Sequence, residues 1–170
     1  VTANVIEAPD GTFTADKLVT TAEGGSHRVE KSLALTGDFY TLSVYAKASE
    51  YGWLQLYSAF TTEYANFDLS SGVVGTVTGS STSSMTDVGG GWYLCTFNSA
   101  FLTTAQALRI AVSDGDLGRG ATFTGDGTSG IYVWGAHAFR SDLGGMAPVP
   151  SDARVVGSTT YVPTTSTAKY

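Results

Sequence analysis

Six side chains in this chain have the right types to hold a sugar ring: Tyr45, Lys47, Trp53, Gln55, Tyr57 and Arg109. A pyranose has one face of C–H groups and a rim of hydroxyls. Tyr and Trp cover the first with large contact area and few rotatable bonds. Lys, Arg and Gln satisfy the second by hydrogen bonding. Successive side chains of a strand point to opposite faces, so spacing assigns each residue a side. In Tyr40–Ala48 one face carries Tyr40, Leu42, Val44 and Ala46, and the other carries Thr41, Ser43, Tyr45 and Lys47. In Trp53–Ser58 the core set is Leu54 and Leu56, with Trp53, Gln55 and Tyr57 facing out. In Leu108–Ser113 the core set is Leu108, Ile110 and Val112, with Arg109, Ala111 and Ser113 facing out. The six are therefore expected on the non-core faces of neighbouring strands. Outward aromatics also serve to cover a second sheet or to pack beneath a loop, and the sequence leaves both roles open.

Catalytic chemistry finds fewer candidates. A retaining glycosidase needs two carboxylates about 5 Å apart, which on one strand means acids at i and i+2 or i+4. No such array occurs. Glu63 and Asp68 are five residues apart and face opposite ways on a regular strand, and Glu30 is alone on its strand. Cys95 lies in Trp92-Tyr93-Leu94-Cys95-Thr96-Phe97 and reads as a small core residue. As the single cysteine it cannot form an internal disulfide. A nucleophilic thiol would want a histidine, and nothing local pairs it with His27 or His137. The chain is expected to be non-catalytic.

Composition narrows the partners. Charged residues are only 14% of the chain, net charge is −6, and the nine basic residues are scattered. Without a basic stripe, binding to a phosphate backbone is not expected. An acidic module has no general attraction for polyanions or anionic membranes. No apolar run approaches the ~20 residues of a membrane span, so no membrane insertion is expected. Solubility must come from the abundant Gly, Ser and Thr, as suits an extracellular β-protein and a neutral glycan partner.

The elements that must position these residues are short strands. No window shows the i, i+3, i+4, i+7 spacing of an amphipathic helix. Alternating or β-prone segments occur instead at Val5-Ile6, Lys17–Thr21, Arg28–Leu35, Tyr40–Ala48, Trp53–Ser58, Tyr64–Leu69, Val73–Thr78, Ser83–Val88, Trp92–Phe97, Leu108–Ser113 and Ile131–Phe139. Turn signals punctuate them, among them Asp10-Gly11, Gly24-Gly25, Ser71-Gly72, Gly89-Gly90-Gly91, Asp114-Gly115 and Gly125-Asp126-Gly127. This spacing predicts an all-β fold, a two-sheet antiparallel β-sandwich of the jelly-roll type, over residues 1–143. Residues 144–170 are Pro/Ser/Thr-rich, with one β-like stretch at Thr159–Val162. They read as a C-terminal segment that packs on the sandwich.

Three blocks carry a resemblance. They are Gly125-Asp126-Gly127-Thr128-Ser129-Gly130-Ile131-Tyr132-Val133-Trp134-Gly135-Ala136, then Thr160-Tyr161-Val162-Pro163-Thr164-Thr165, and an opening with Ala8-Pro9-Asp10-Gly11-Thr12 and Thr14-Ala15-Asp16-Lys17-Leu18-Val19. In this order they resemble carbohydrate-binding-module-like β-sandwich domains of phage tail fibres and other virion appendages. His137 stands where that family usually has Gln. The resemblance implies a virion or extracellular location and recognition of a glycan or host-surface polysaccharide. It also implies contact with other virion subunits, and a homotrimer if the chain belongs to a tail fibre. Trp92 and Trp134 fall in family blocks and are expected to pack rather than bind.

No cofactor is required by this reading. Jelly-roll carbohydrate modules often carry a structural Ca2+ near the first and last strands, which makes Glu7, Asp10 and Asp142 candidate ligands. Asp114-Gly115-Asp116 lacks the third acid and the distant glutamate of an EF-hand loop. Turn chemistry is the alternative for all of these acids. The competing function for the whole chain is a structural or decoration module that mediates subunit contacts.

Overall fold

The computed structural model of the chain describes residues 1–34, 38–101 and 105–141. Asp142 and the segment 144–170, with Thr159–Val162 and Tyr161, lie outside these residues. The strands are β1 (Thr2–Ile6), β2 (Ala15–Val19), β3 (Gly24–Gly25), β4 (Arg28–Ala34), β5 (Asp38–Lys47), β6 (Trp53–Ser58), β7 (Tyr64–Asp68), β8 (Val73–Val77), β9 (Thr82–Gly89), β10 (Trp92–Phe101), β11 (Ala105–Ser113), β12 (Phe123–Thr124) and β13 (Gly130–Arg140). Each expected segment from Val5-Ile6 to Ile131–Phe139 overlaps a strand within the described residues. Only β3 and β12 were not foreseen, because two residues carry no periodicity.

Among the described residues one sheet has six strands in the order β1-β2-β13-β5-β10-β9, a second has five in the order β4-β11-β6-β7-β8, and β12 and β3 pair as a small two-stranded sheet. All pairings are antiparallel. The chain crosses between the two larger sheets from β2 to β4, β4 to β5, β5 to β6, β8 to β9, β10 to β11 and β11 to β13. The sheets face each other across one core. Tyr40, Leu42, Val44 and Ala46 of β5 meet Leu54, Leu56, Leu108, Ile110 and Val112 there, together with Phe67 and Phe97. These are the core sets that alternation assigned. Removing each larger side chain from water stabilises the fold by roughly 2 kcal/mol. Cys95 is fully buried in the same core, and burial pushes its thiol pKa up.

The topology corrects one expectation. Tyr45 and Lys47 are on β5, in the six-stranded sheet. Trp53, Gln55 and Tyr57 on β6 and Arg109 on β11 are in the five-stranded sheet. The outward faces of these two groups lie on opposite sides of the sandwich, so the six side chains do not share a face. Alternation gives each strand an inside and an outside, but not which sheet it joins.

A bulge in β13 sets the side on which His137 lies. Regular alternation puts His137 on the face of Val133 and Gly135. Pairing with β5 instead slips between Trp134 and His137, so that Trp134 opposes Tyr45 and His137 opposes Ser43. Gly135, at φ 59°, takes up the extra residue in a left-handed conformation. His137 thereby joins the outer face and is exposed.

The start of β13 is anchored by charge and turn chemistry. Asp126 accepts hydrogen bonds from the Thr128 and Ser129 N–H groups (2.8 and 2.7 Å) and from the Ser129 hydroxyl (2.5 Å). These bonds hold its carboxyl well below the usual range. The Gly125–Ser129 block is thus a self-capped turn that feeds a strand. Glu50 accepts from Lys17 Nζ (2.8 Å) and from the Gly130 N–H (3.0 Å). The Lys17 bond is the main cause that, against the cost of burial, draws the Glu50 carboxyl from 4.5 down to about 2. A depressed folded-state pKa stabilises above the unfolded value and is lost as pH falls through the folded one. We therefore expect a stability component that declines between pH 4.5 and about 2 and is absent in Glu50→Gln. Thermal melts of both proteins across that range check it. The component is modest, because half of the Glu50 side chain is exposed.

Candidate functional site

The outer face of the five-stranded sheet is covered. The loop 114–120 after β11 lies across β6, β7 and β8. Gln55 is buried and reaches this loop with both ends of its amide. Its Nε2 donates to Asn66 Oδ1 (2.8 Å) and to the Gly118 carbonyl (3.1 Å), and its Oε1 accepts from the Gly120 N–H (2.6 Å). Asn66 Nδ2 donates to Asp116 Oδ1 and to the Leu117 carbonyl, both at 2.7 Å. Asp116 also accepts from the Thr76 N–H and hydroxyl (both 2.9 Å). Burial raises its pKa, but the Asn66 and Thr76 hydrogen bonds outweigh that and hold the carboxyl below its ordinary value. Asp116 is therefore a strap that ties the loop to β7 and β8.

Tyr57 is buried between two guanidinium groups, with Arg119 at 5.1 Å and Arg109 at 5.5 Å from its ring centre. Arg119 donates to the Ser58 and Ala59 carbonyls. Arg109 donates to Glu30 (2.9 Å), and Arg28 does so at 3.3 Å. These bonds, Arg109 first, hold the Glu30 carboxyl below its ordinary value. Trp53 is half-buried, and its ring edge lies against Gly75 beside Asp116. Trp53, Gln55, Tyr57 and Arg109 thus form a cohesive outer layer. Packing beneath a loop, the second role open to outward aromatics, is the one this face shows.

The outer face of the six-stranded sheet is covered over its upper half only. The β1–β2 loop folds over it and buries Ala8 with Tyr45, Ala15 and Trp92. Tyr45 lies 5.4 Å from the Trp134 ring and is 1% exposed, so it is a packing residue and not an open platform. Trp134 Nε1 donates to Thr14 Oγ1 (3.0 Å), which hydrogen-bonds Thr12 Oγ1 (2.6 Å). The Thr12 hydroxyl and N–H in turn meet Asp10 Oδ1 (2.6 and 3.0 Å). This chain of polar contacts fixes the loop against the two aromatic rings, and both Trp92 and Trp134 pack as expected.

Where the loop meets the β9–β10 hairpin, a cleft of about 550 Å³ opens. Glu7, Pro9, Asp10 and Gly11 form one wall, Val88, Gly89 and Gly90 the other, and Trp92 and Lys47 line it between them. The hairpin turns through Gly89, Gly90 and Gly91, at φ 89°, 62° and 78°, a conformation that side chains with a Cβ resist. Lys47 opposes Trp92 in register, and its Nζ donates to the Gly90 carbonyl (2.6 Å). The cleft therefore presents two carboxylates, one ammonium and backbone polar groups above the buried Trp92. Hydroxyls can donate to the first and accept from the second.

Lys47, Glu7 and Asp10 were singled out in sequence for two different roles, and the fold brings them together. Loop closure over 7–14 is the cause, and no local pattern signals it. The Ca2+ expectation fares differently. Asp10 already serves Thr12, and among the described residues no group of three His, Cys, Asp or Glu side chains converges. The described donors do not by themselves make a Ca2+ cage of six to eight oxygens. Asp142 lies outside them.

No family model matches the chain, and no curated protein matches it.

The remaining acids have local work. Glu63 accepts from the Ser80 N–H and hydroxyl (2.9 Å each) and from the Ser99 hydroxyl. Asp68 caps the turn at Ser70-Ser71. His27 is buried, with Nδ1 on the Thr21 N–H (3.1 Å) and Nε2 at the Phe123 carbonyl (3.0 Å). Among the described residues no helix is long and apolar enough to cross a membrane.

Proposed function

We propose that this protein is a non-catalytic glycan-recognition module of a phage virion appendage such as a tail fibre. It contacts host-surface polysaccharide and holds the sugar in the Glu7–Lys47–Trp92 cleft. The observation that carries the reading is the cleft itself, about 550 Å³ between the β1–β2 loop and the β9–β10 hairpin, with hydrogen-bonding groups of both polarities on its walls. Resemblance of the sequence blocks to tail-fibre β-sandwiches and the acidic, hydroxyl-rich composition support the setting. The two carboxylates outnumber the one ammonium, so uncharged sugars suit the cleft better than uronic acids.

A glycan array with wild type, Lys47→Ala and Trp53→Ala tests the site. Wild type is expected to retain neutral oligosaccharides. Lys47→Ala is expected to weaken binding roughly tenfold or more, the worth of a hydrogen bond to a charged group, with the chain still folded and only the bond to the Gly90 carbonyl lost from the fold. Trp53→Ala should bind normally, because its ring packs against Gly75 on the opposite side of the sandwich. Retention of no glycan across a broad panel, or equal retention by wild type and Lys47→Ala, sinks the proposal. A structural module that mediates subunit contacts is the second reading. The observation that favours it is a crevice of about 440 Å³ between β4 and β13, lined by Val29, Leu42, Leu108 and Ile110.

A further inference from the structure

The lower half of the outer face of the six-stranded sheet carries a second set of groups suited to a sugar. Residues directly opposite one another on antiparallel strands share a face. Register therefore builds two rows across β9, β10, β5 and β13. One row is Thr82, Asn98, Thr41 and Phe139, and the next is Ser84, Thr96, Ser43 and His137. The second row is complete because the β13 bulge turns His137 outward. Phe39 precedes Thr41 by two places in β5 and so shares its side. At the usual strand spacing each row is roughly 14 Å wide. Ser43 is buried, and the other members are exposed or half-buried.

β13 supplies rings to this surface. His137 and Phe139 lie 5.4 Å apart with their planes tilted by 32°. Phe39 adds a ring that is 53% exposed. β5, β9 and β10 supply hydroxyls and one amide. Thr41 Oγ1 and Ser141 Oγ are 2.9 Å apart, and Ser141 donates to Asn98 Oδ1 (3.2 Å). Ser84 and Thr96 share a hydrogen bond of 2.7 Å. Each hydroxyl oxygen held this way keeps acceptor capacity for a ligand. No carboxylate, ammonium or guanidinium stands in either row, so an ionic partner finds no counter-charge there. Six of the eight side chains are hydroxyls or amide, whereas the centre of a protein interface is more apolar.

We propose that this half-face is a second sugar platform. The rings of Phe39, Phe139 and His137 cover the C–H face of an uncharged sugar, and Thr41, Thr96 and Asn98 bond its hydroxyls. The inference rests on the glycan reading and narrows the ligand to an extended neutral polysaccharide. Lys47 of the cleft and Thr41 of the platform are six residues apart on β5, roughly 20 Å. One chain of several sugars can reach both, and linked sites gain by effective concentration.

Native electrophoresis of the full chain through gels that hold dextran, mannan, galactan or β-glucan tests it. Wild type is expected to be retarded by at least one of these. Phe39→Ala and Phe139→Ala are each expected to weaken that retardation roughly fivefold, the worth of one ring contact. Phe139→Tyr keeps the ring and should match wild type. Retardation lost in Lys47→Ala but intact in both alanine variants leaves the cleft standing and overturns the platform. The reverse pattern upholds the platform and overturns the cleft. No retardation in any gel sinks both. Should Phe139→Ala fail to fold, Phe39→Ala decides, because its ring is already largely in water. Gel filtration supplies the last arm. A dimer that Phe39→Ala disperses would put a second copy on this face and overturn the proposal.

Discussion

Tyr45→Ala is expected to destabilise the protein by about 4 kcal/mol, the usual range for deleting a buried aromatic ring. Pattern alone puts this residue on an outward face, yet its ring is enclosed by Ala8, Ala15, Trp92 and Trp134. Truncation leaves a cavity under the β1–β2 loop and removes the ring contact with Trp134, itself worth about 1 kcal/mol. For a chain of this length the melting temperature should fall by roughly 10 °C. Glycan binding should fall with it, because Trp92, the floor of the cleft, packs in the same cluster. Lys47→Ala should show a different signature, with binding lost and a stability cost well below that of Tyr45→Ala, because it removes one hydrogen bond to the Gly90 carbonyl and no core ring. Urea denaturation of both variants separates the two. A Tyr45→Ala cost below about 1 kcal/mol, the level of ordinary surface changes, would mean that the loop does not cover Tyr45 in solution.

Gln55→Leu is expected to cost about 3 kcal/mol, because a buried polar group left without its partner loses about 1–3 kcal/mol. Leucine keeps the volume and removes both ends of the amide. The Gly120 N–H, the Gly118 carbonyl and Asn66 Oδ1 all lose a bond. The loop 114–120 should then lift from β6, with faster hydrogen exchange at Gly120 and a lower denaturation midpoint. Glycan retention at the cleft should persist in whatever fraction stays folded, since Gln55 sits on the other sheet. Unchanged stability in this variant would argue that the loop is not a cover and would restore Gln55 as a candidate ligand.

These two residues show where the sequence stopped being informative. Tyr45 and Gln55 were each assigned the correct side of their own strand. Their fate depended on what lies above that side. The covers are the loops 7–14 and 114–120, which are short in pattern and rich in Gly, Asp and Thr. Alternation says nothing about where such loops settle. The strap residue Asp116 was visible as half of an acidic turn, but its partners Asn66 and Thr76 are distant in sequence. His137 changed faces because one extra residue at Gly135–Ala136 shifts the register, and a bulge leaves only a glycine as its trace.

The sequence by itself determined the all-β class, the position of every long strand and the inward sets of β5, β6 and β11, from Leu42 and Val44 to Ile110. Side-chain alternation is a local property of the pleated backbone, so local pattern suffices for it. The turn at Gly125–Ser129 was legible for the same reason, since Asp126 caps residues two and three places on. Only the tertiary structure decided which strands share a sheet, which outward faces stay open and which carboxylates meet Lys47. Those depend on strand pairing and loop closure between residues far apart in the chain. The sugar-binding set of six accordingly divides between two sheets, with Tyr45, Gln55 and Tyr57 buried, and Lys47 alone of the six lines the cleft with Glu7, Asp10 and Trp92.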